Sequence, residues 1–181
     1  MKKFELTNEF VTNMFGTKLF RIRALVEFGD VEAGELGGYV EKESNLGHDD
    51  NAWVYDNAWV YGNARVYGDA LVYDNARVYD NAWVYGDAQV SGNARVCGNG
   101  DYAYAHGFGS VNRTTTFFRL KDGGVGVRCG CFYGTLAQFR DKIRETHGET
   151  KKAQEYLMLA DLMELRFEED ENEVGNRKYV E

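Results

Sequence analysis

Three observations predict a mainly β protein built on a parallel β-helix. From Ala52 to Asn99 the chain reads AWVYDN, AWVYGN, ARVYGD, ALVYDN, ARVYDN, AWVYGD, AQVSGN and ARVCGN, eight six-residue units in succession. Valine returns at 54, 60, 66, 72, 78, 84, 90 and 96, and alanine at 52, 58, 64, 70, 76, 82, 88 and 94. The 181 residues include no proline, where average usage would supply about nine. Proline removes a backbone donor and is kept out of central strands, so its absence suits a backbone committed to ladders.

Each unit reads as a short strand and a turn. In A-x-V the alanine and valine share one face, because strand side chains alternate with period two. The residue between them (Trp53, Trp59, Arg65, Leu71, Arg77, Trp83, Gln89, Arg95) faces the other way. The closing Gly/Asp and Asn/Asp pair supplies residues that tolerate turn and left-handed conformations. Three units to a triangular coil give an 18-residue repeat and a little under three coils. The inward valines then contribute roughly 1.5–3 kcal/mol each. An α-helix is excluded, since a period of six brings valine back about 600° round and makes no continuous stripe.

The flanks follow in chain order. Residues 1–37 contain apolar-rich segments, Phe4 to Leu6 and Leu19 to Phe28, around Asn13 to Gly16. They are predicted to be strands forming an N-terminal cap, which a solenoid needs against edge pairing. The solenoid itself is placed at 38–99. Val40 and Leu46 are six apart, with Ser44 in the small-residue slot, and begin it. Two extra residues before Val54 predict that Gly47-His48-Asp49-Asp50 bulges out as a loop. After Asn99 the period breaks, and Gly100 to Gly109 reads as a flexible aromatic exit. Thr114 to Leu120 and Val125 to Cys131 predict a hairpin around Lys121 to Gly124. Thr135-Leu136-Ala137-Gln138 is a capping box opening a helix with Leu136, Phe139 and Ile143 inward and Gly148 as its stop. A second helix is predicted from about Thr150 to Leu165, completing a small ββαα module within 100–166. Residues 167–181 are read as an acidic, disordered tail.

The repeat resembles the hexapeptide-repeat, left-handed β-helix family. The tyrosine-rich stretch AWVYGNARVYGDA (58–70) is most similar to phage and prophage hexapeptide-repeat proteins, as is the lead-in from Phe28 to Val40. The segment Arg128 to Leu136 resembles the C-terminal module of some of those proteins. The left hand of the coil is implied by this resemblance alone, since crossover rules favour the right hand. Trimeric assembly is likewise implied by relatives in the family.

Composition narrows the function. The formal charge of −8 argues against non-specific DNA or RNA binding, which depends on a basic surface. No uncharged run approaches the ~20 residues of a membrane span, and MKKFELTNEF lacks a signal-peptide core. Three cysteines, Cys97, Cys129 and Cys131, are too few for a disulfide framework. A cytoplasmic protein without cofactor is expected.

Tyrosine follows valine at 55, 61, 67, 73, 79 and 85. An 18-residue coil stacks Tyr55 with Tyr73, Tyr61 with Tyr79 and Tyr67 with Tyr85, about 4.8 Å apart. It also sets Trp59 beside Arg77 and Arg95 as a cation–π column. Exposed aromatic area of this kind is costly for a monomer, so these six tyrosines are the expected homotrimer interface. The expected ligand site is the hairpin, where Arg113, Thr114, Thr115, Arg119 and Arg128 bring guanidinium and hydroxyl groups beside Phe117 and Phe118. Arginine and threonine grip phosphates, and aromatics stack bases. The function expected is therefore a non-catalytic binding protein that captures a host protein or a small anionic ligand. One form, suggested by the phage-type resemblance, is an anti-defence protein sequestering a nucleotide signal. The alternative is an acyltransferase with His48 as general base. Cys129-x-Cys131 reads as two small residues of the hairpin, and scattered His48, His106 and His147 do not make a zinc site.

Overall fold

The valine and alanine of every unit are fully withdrawn from solvent in the computed structural model, which describes residues 1–110 and 113–168. Among the described residues the elements begin with β1 (Phe4–Thr12), β2 (Lys18–Ala24) and β3 (Leu36–Val40). The repeats follow as β4 (Trp53–Val54), β5 (Trp59–Val60), β6 (Arg65–Val66), β7 (Leu71–Val72), β8 (Arg77–Val78), β9 (Trp83–Val84), β10 (Gln89–Val90) and β11 (Arg95–Val96). Strands β3, β5, β8 and β11 stack as one parallel wall, β4, β7 and β10 as a second, and β6 and β9 as a third. The chain is thus a β-solenoid of roughly three coils.

The register carries the predicted phase. Val54 pairs with Val72, Val60 with Val78 and Val66 with Val84, each 18 residues on. Val40 pairs with Val60 and Leu46 with Val66, each 20 residues on. The excess is the two-residue insertion at Gly47–Asp50. At eight successive turns one residue takes a positive φ, in the order Asp50, Asp56, Gly62, Gly68, Asp74, Asp80, Gly86 and Gly92. Glycine enters this region without a Cβ penalty, and aspartate is among the few residues that visit it. The aspartates also join coils: Asp56 accepts from the Asp74 N–H at 3.3 Å, and Asp74 accepts from the Gly92 N–H at 2.9 Å.

The N-terminal cap prolongs the first wall. Strands β1 and β2 form an antiparallel hairpin, and β2 pairs with β3. Trp53 occupies an outward position but is fully buried, because Phe4 and Phe28 close over it edge-on at 6.2 and 5.3 Å. Lys3 is buried beside them and donates to the carbonyls of Asp50 and Ala52 at 3.2 and 2.8 Å. Burial pulls its ammonium down to about 8.

Gly38 lets the cap approach the first coil. A Cβ there would lie 2.7 Å from both the Ala58 carbonyl oxygen and Val54 Cγ1. Gly38→Ala is expected to destabilise by roughly 1–3 kcal/mol, the usual cost of overpacking. A chemical-denaturation midpoint checks this, and an unchanged midpoint would show that the backbone can yield there.

Beyond the solenoid lie β12 (Tyr102–Phe108), β13 (Arg113–Arg119), β14 (Val125–Cys129) and β15 (Phe132–Thr135), an antiparallel sheet in chain order. The predicted hairpin is β13–β14, so the module holds four strands where two were expected. The exit segment is strand β12. Its alternation of Tyr102 and Tyr104 with alanine sets both tyrosines beside Tyr85 of the last coil. One face of the sheet sends Tyr102 and Phe118 into the solenoid core. The other sends Phe117 and Val127 into a second core with α1 (Leu136–His147) and α2 (Lys151–Phe167). Thr135 and Gln138 form the predicted capping box, and Gly148 closes α1. Helix α2 reaches two residues past its predicted end, and Phe167 is buried. Of the tail expected over 167–181, Phe167 instead ends α2 and Glu168 caps it, because the Phe167 ring packs into the module core. Residues 169–181 lie outside the described residues. Among the described residues no helix is long and apolar enough to cross a membrane.

Candidate functional site

Strand alternation divides the five residues expected to form one ligand site. Thr115 and Arg119 share the helix-facing side of β13 with Phe117, while Thr116 and Phe118 face the solenoid. Thr115 is buried and donates to Cys129 Sγ at 3.2 Å. Arg119 is buried as well, donating to the Phe167 carbonyl at 3.1 Å and the Gly123 carbonyl at 3.3 Å. Its Nε lies 3.7 Å from Asp101. Arg128, the register partner of Thr116, points to the solenoid and sits 5.6 Å over the Tyr73 ring. Thr114 meets His106 Nδ1 at 2.9 Å. Arg113 opens on a cavity.

That cavity, about 260 Å³, lies between the sheet and α1. Arg113, Lys142, Thr146, His147 and Ser110 line it with polar groups, and Phe132, Phe139, Ile143, Tyr156 and Cys129 supply the apolar surface. Gly130, at φ +58°, makes room for Arg113, because a Cβ there would run into the guanidinium. Tyr156 is held by the Ser110 N–H, which donates to its hydroxyl at 3.1 Å. The His147 ring stacks on Tyr156 at 6.0 Å. Lys142 is paired with Glu145 at 2.8 Å and holds that carboxyl below its ordinary range. Arg113 meets no carboxylate within ion-pair distance among the described residues.

Sequence reasoning singled out Arg113 but missed Lys142, Thr146 and His147. The available signal was their place on α1. Lys142 and Thr146 are four apart, flanking the inward stripe of Phe139 and Ile143, so they belong to the rim of a buried face.

His48, the alternative catalytic base, is a latch for the N-terminal strand. Its Nδ1 accepts the Lys3 N–H at 3.2 Å, its Nε2 lies 2.9 Å from Glu43, and its ring stacks on Phe4 at 4.5 Å. With Nδ1 accepting, Nε2 carries the proton toward Glu43, and neither nitrogen offers a lone pair to a substrate. Cys131 lies past the end of β14 in an exposed turn, whereas Cys129 is part of the module core. Among the described residues there is no group of three or more histidine, cysteine or acidic side chains able to hold a metal.

The tyrosines stack as the 18-residue period requires. Ring centroids are 5.1 Å apart for Tyr55–Tyr73, 5.2 Å for Tyr61–Tyr79 and 5.3 Å for Tyr67–Tyr85. Arg77 covers Trp59 at 4.3 Å. Two columns end where the repeat changes letter: Ser91 replaces the tyrosine above Tyr73, and Cys97 the one above Tyr79. Arg128 covers Tyr73 there instead. Tyr79 is buried, Tyr55, Tyr61, Tyr67 and Tyr73 are half-buried, and only Tyr85 of the six is exposed.

Residues 58–73, 70–86 and 88–100 match a protein-family profile described as the YdcK beta solenoid repeat. The match lies within the repeats from the second unit on and stops short of the terminal module, in agreement with the fold. No curated protein matches the chain.

Proposed function

We propose that this β-solenoid repeat protein is a non-catalytic binding protein whose terminal module captures a small anionic ligand with a flat ring, of the nucleoside monophosphate kind. The observation that carries the reading is Arg113, which lacks a carboxylate partner among the described residues and opens with Lys142 and His147 on an aromatic-lined cavity. A guanidinium and an ammonium suit a phosphate, and aromatic side chains suit a base. Among the described lining residues Arg113 and Lys142 carry charge and none is a carboxylate, in a chain of formal charge −8. The volume, about 260 Å³, falls just under the roughly 300–1,000 Å³ of sites that enclose drug-sized ligands. One nucleotide unit fits this scale, and a larger signalling nucleotide would insert one unit and leave the rest outside. Sequestration of a nucleotide signal is the biological form we favour, in keeping with the phage-type resemblance.

Calorimetry with mono-, di- and cyclic nucleotides tests this. Binding is expected to weaken with salt and to fall at least about tenfold in Arg113→Ala and in Lys142→Ala, as for a lost charge-assisted hydrogen bond. Arg128→Ala, on the opposite face of the sheet, should leave affinity unchanged. No heat with any nucleotide would overturn the ligand class, and equal loss in all three variants would overturn the site.

A further inference from the structure

The outward arginines of the solenoid lie over tryptophan rings, with one exception. Arg77 covers Trp59 at 4.3 Å, and Arg65 sits 5.8 Å from the Trp83 centroid. Arg95 instead has Arg77 as its register partner on the neighbouring strand. Like charges set opposite each other in a ladder are destabilising. Neither guanidinium meets a carboxylate within ion-pair distance among the described residues. Arg95 donates only through Nη1, to backbone carbonyls that include those of Ala94 and Asn75 at 2.8 and 3.1 Å. Its Nε and Nη2 have no acceptor among the described residues. Burial, and after it the charge of Arg77, pulls Arg95 below its ordinary range.

Arg95 opens on a cleft of about 550 Å³ between the last coil and the tip of the β13–β14 hairpin. Its two sides are tied together, since the Lys121 N–H donates to the Asn93 carbonyl at 3.1 Å and Ala94 bridges Leu120. Tyr133 closes the cleft beside them, its hydroxyl lying where a Cβ on Gly92 would stand. The Lys121 side chain is exposed on the rim and has no ion pair among the described residues. Asp122 is the carboxylate of the lining, and it accepts the Gly124 N–H at 3.0 Å within the hairpin turn. We infer that this cleft is a second anion site, built for two linked phosphoryl groups, one on the unused edge of the Arg95 fork and the other on Lys121. Arg77 adds positive potential behind Arg95. Phosphoryl oxygens suit a planar guanidinium fork, and the volume lies within the roughly 300–1,000 Å³ of small-molecule sites. The cleft stands at the opposite end of β13 from Arg113 and owes nothing to the cavity beneath α1.

Calorimetry of the full chain with inorganic pyrophosphate, in buffer without divalent cations, tests the site. Saturable binding that weakens with added salt is expected, with orthophosphate about tenfold or more weaker because it engages one group only. Lys121→Ala removes an exposed side chain and keeps the backbone bond to Asn93, so it should fold normally and lose about tenfold in affinity. Arg95→Gln should lose at least as much. Asp122→Asn keeps an acceptor for Gly124 and should tighten binding about two- to fivefold, as for removal of an exposed like charge. Arg113→Ala should leave pyrophosphate affinity unchanged, which separates this cleft from the nucleotide cavity. Absence of saturable heat would overturn the proposal. So would unchanged affinity in Lys121→Ala, equal binding of orthophosphate, or a loss in Arg113→Ala as large as that in Lys121→Ala.

Discussion

Replacing Arg119 with alanine is expected to cost about 3–5 kcal/mol of folding stability, the range for breaking a buried ion pair from one side. Arg119 and Asp101 are 3% and 5% exposed. Asp101 also accepts from the backbone N–H groups of Cys97 and Gly98, both at 3.0 Å, which fixes the turn where the chain leaves the solenoid. The same guanidinium donates to Gly123 at the hairpin tip and to Phe167 at the end of α2, where helix carbonyls otherwise lack partners. One side chain therefore joins the solenoid exit, the hairpin and the last helix. Alanine leaves a buried carboxylate and two carbonyls without it. Arg119→Lys keeps the charge but not the planar fork, and should recover less than half of the loss. Because the solenoid and the helices have separate cores, the loss should register first as faster hydrogen exchange in the last turn of α2. A change below about 1 kcal/mol, ordinary for a surface substitution, would contradict this account of how the module is attached.

What could be read from the sequence follows the range of the interactions involved. The wall register, the two-residue insertion before Val54 and the tyrosine stacking are all consequences of one period, and a period is visible in a single chain. The Thr135–Gln138 cap is visible for the same reason, since its partners are three residues apart. The hairpin site fared differently. Arg113, Arg119 and Arg128 are close in sequence, but alternation and strand pairing send them to a cavity, a buried ion pair and a tyrosine column. Strand β12 was hidden by Gly100, Gly107 and Gly109, which read as a loop, while the pairing that orders it comes from β13. Trp53 shows the limit most simply: its outward position was legible, and the closure of Phe4 and Phe28 over it was not. The cavity beneath α1 depends on how a helix sits on a sheet, which no local spacing encodes.

The tyrosine columns also predict how the protein responds to alkali. Burial raises the pKa of Tyr73 from 10.0 to about 12, with the neighbouring Tyr55 adding to the shift. Tyr79 and Tyr102 are pushed up further, burial again leading, and Tyr55, Tyr61 and Tyr67 are raised as well. A folded-state pKa above the unfolded one means that the native chain holds protons the unfolded chain has released. The stability concerned is complete below pH 10 and is lost as pH rises through about 12. For Tyr73 alone this amounts to about 3 kcal/mol. The other raised tyrosines act in the same direction, against the roughly 5–15 kcal/mol that holds a domain together, so cooperative unfolding is expected as pH rises through this window. Lys3 acts in the opposite sense. Its folded pKa, about 8, lies below the ordinary 10.5, so the unfolded chain binds the extra proton and stability rises between these values, by ~3 kcal/mol at most. Thermal melts across this range should therefore climb and then collapse, with tyrosinate absorbance appearing together with the loss of β-sheet signal. Lys3→Met should flatten the climb, and Tyr73→Phe should move the collapse to higher pH. Tyrosinate absorbance that grows smoothly from pH 10 while the sheet signal persists would show that the columns ionise in place, and that stacking against the coil does not exclude the charged ring.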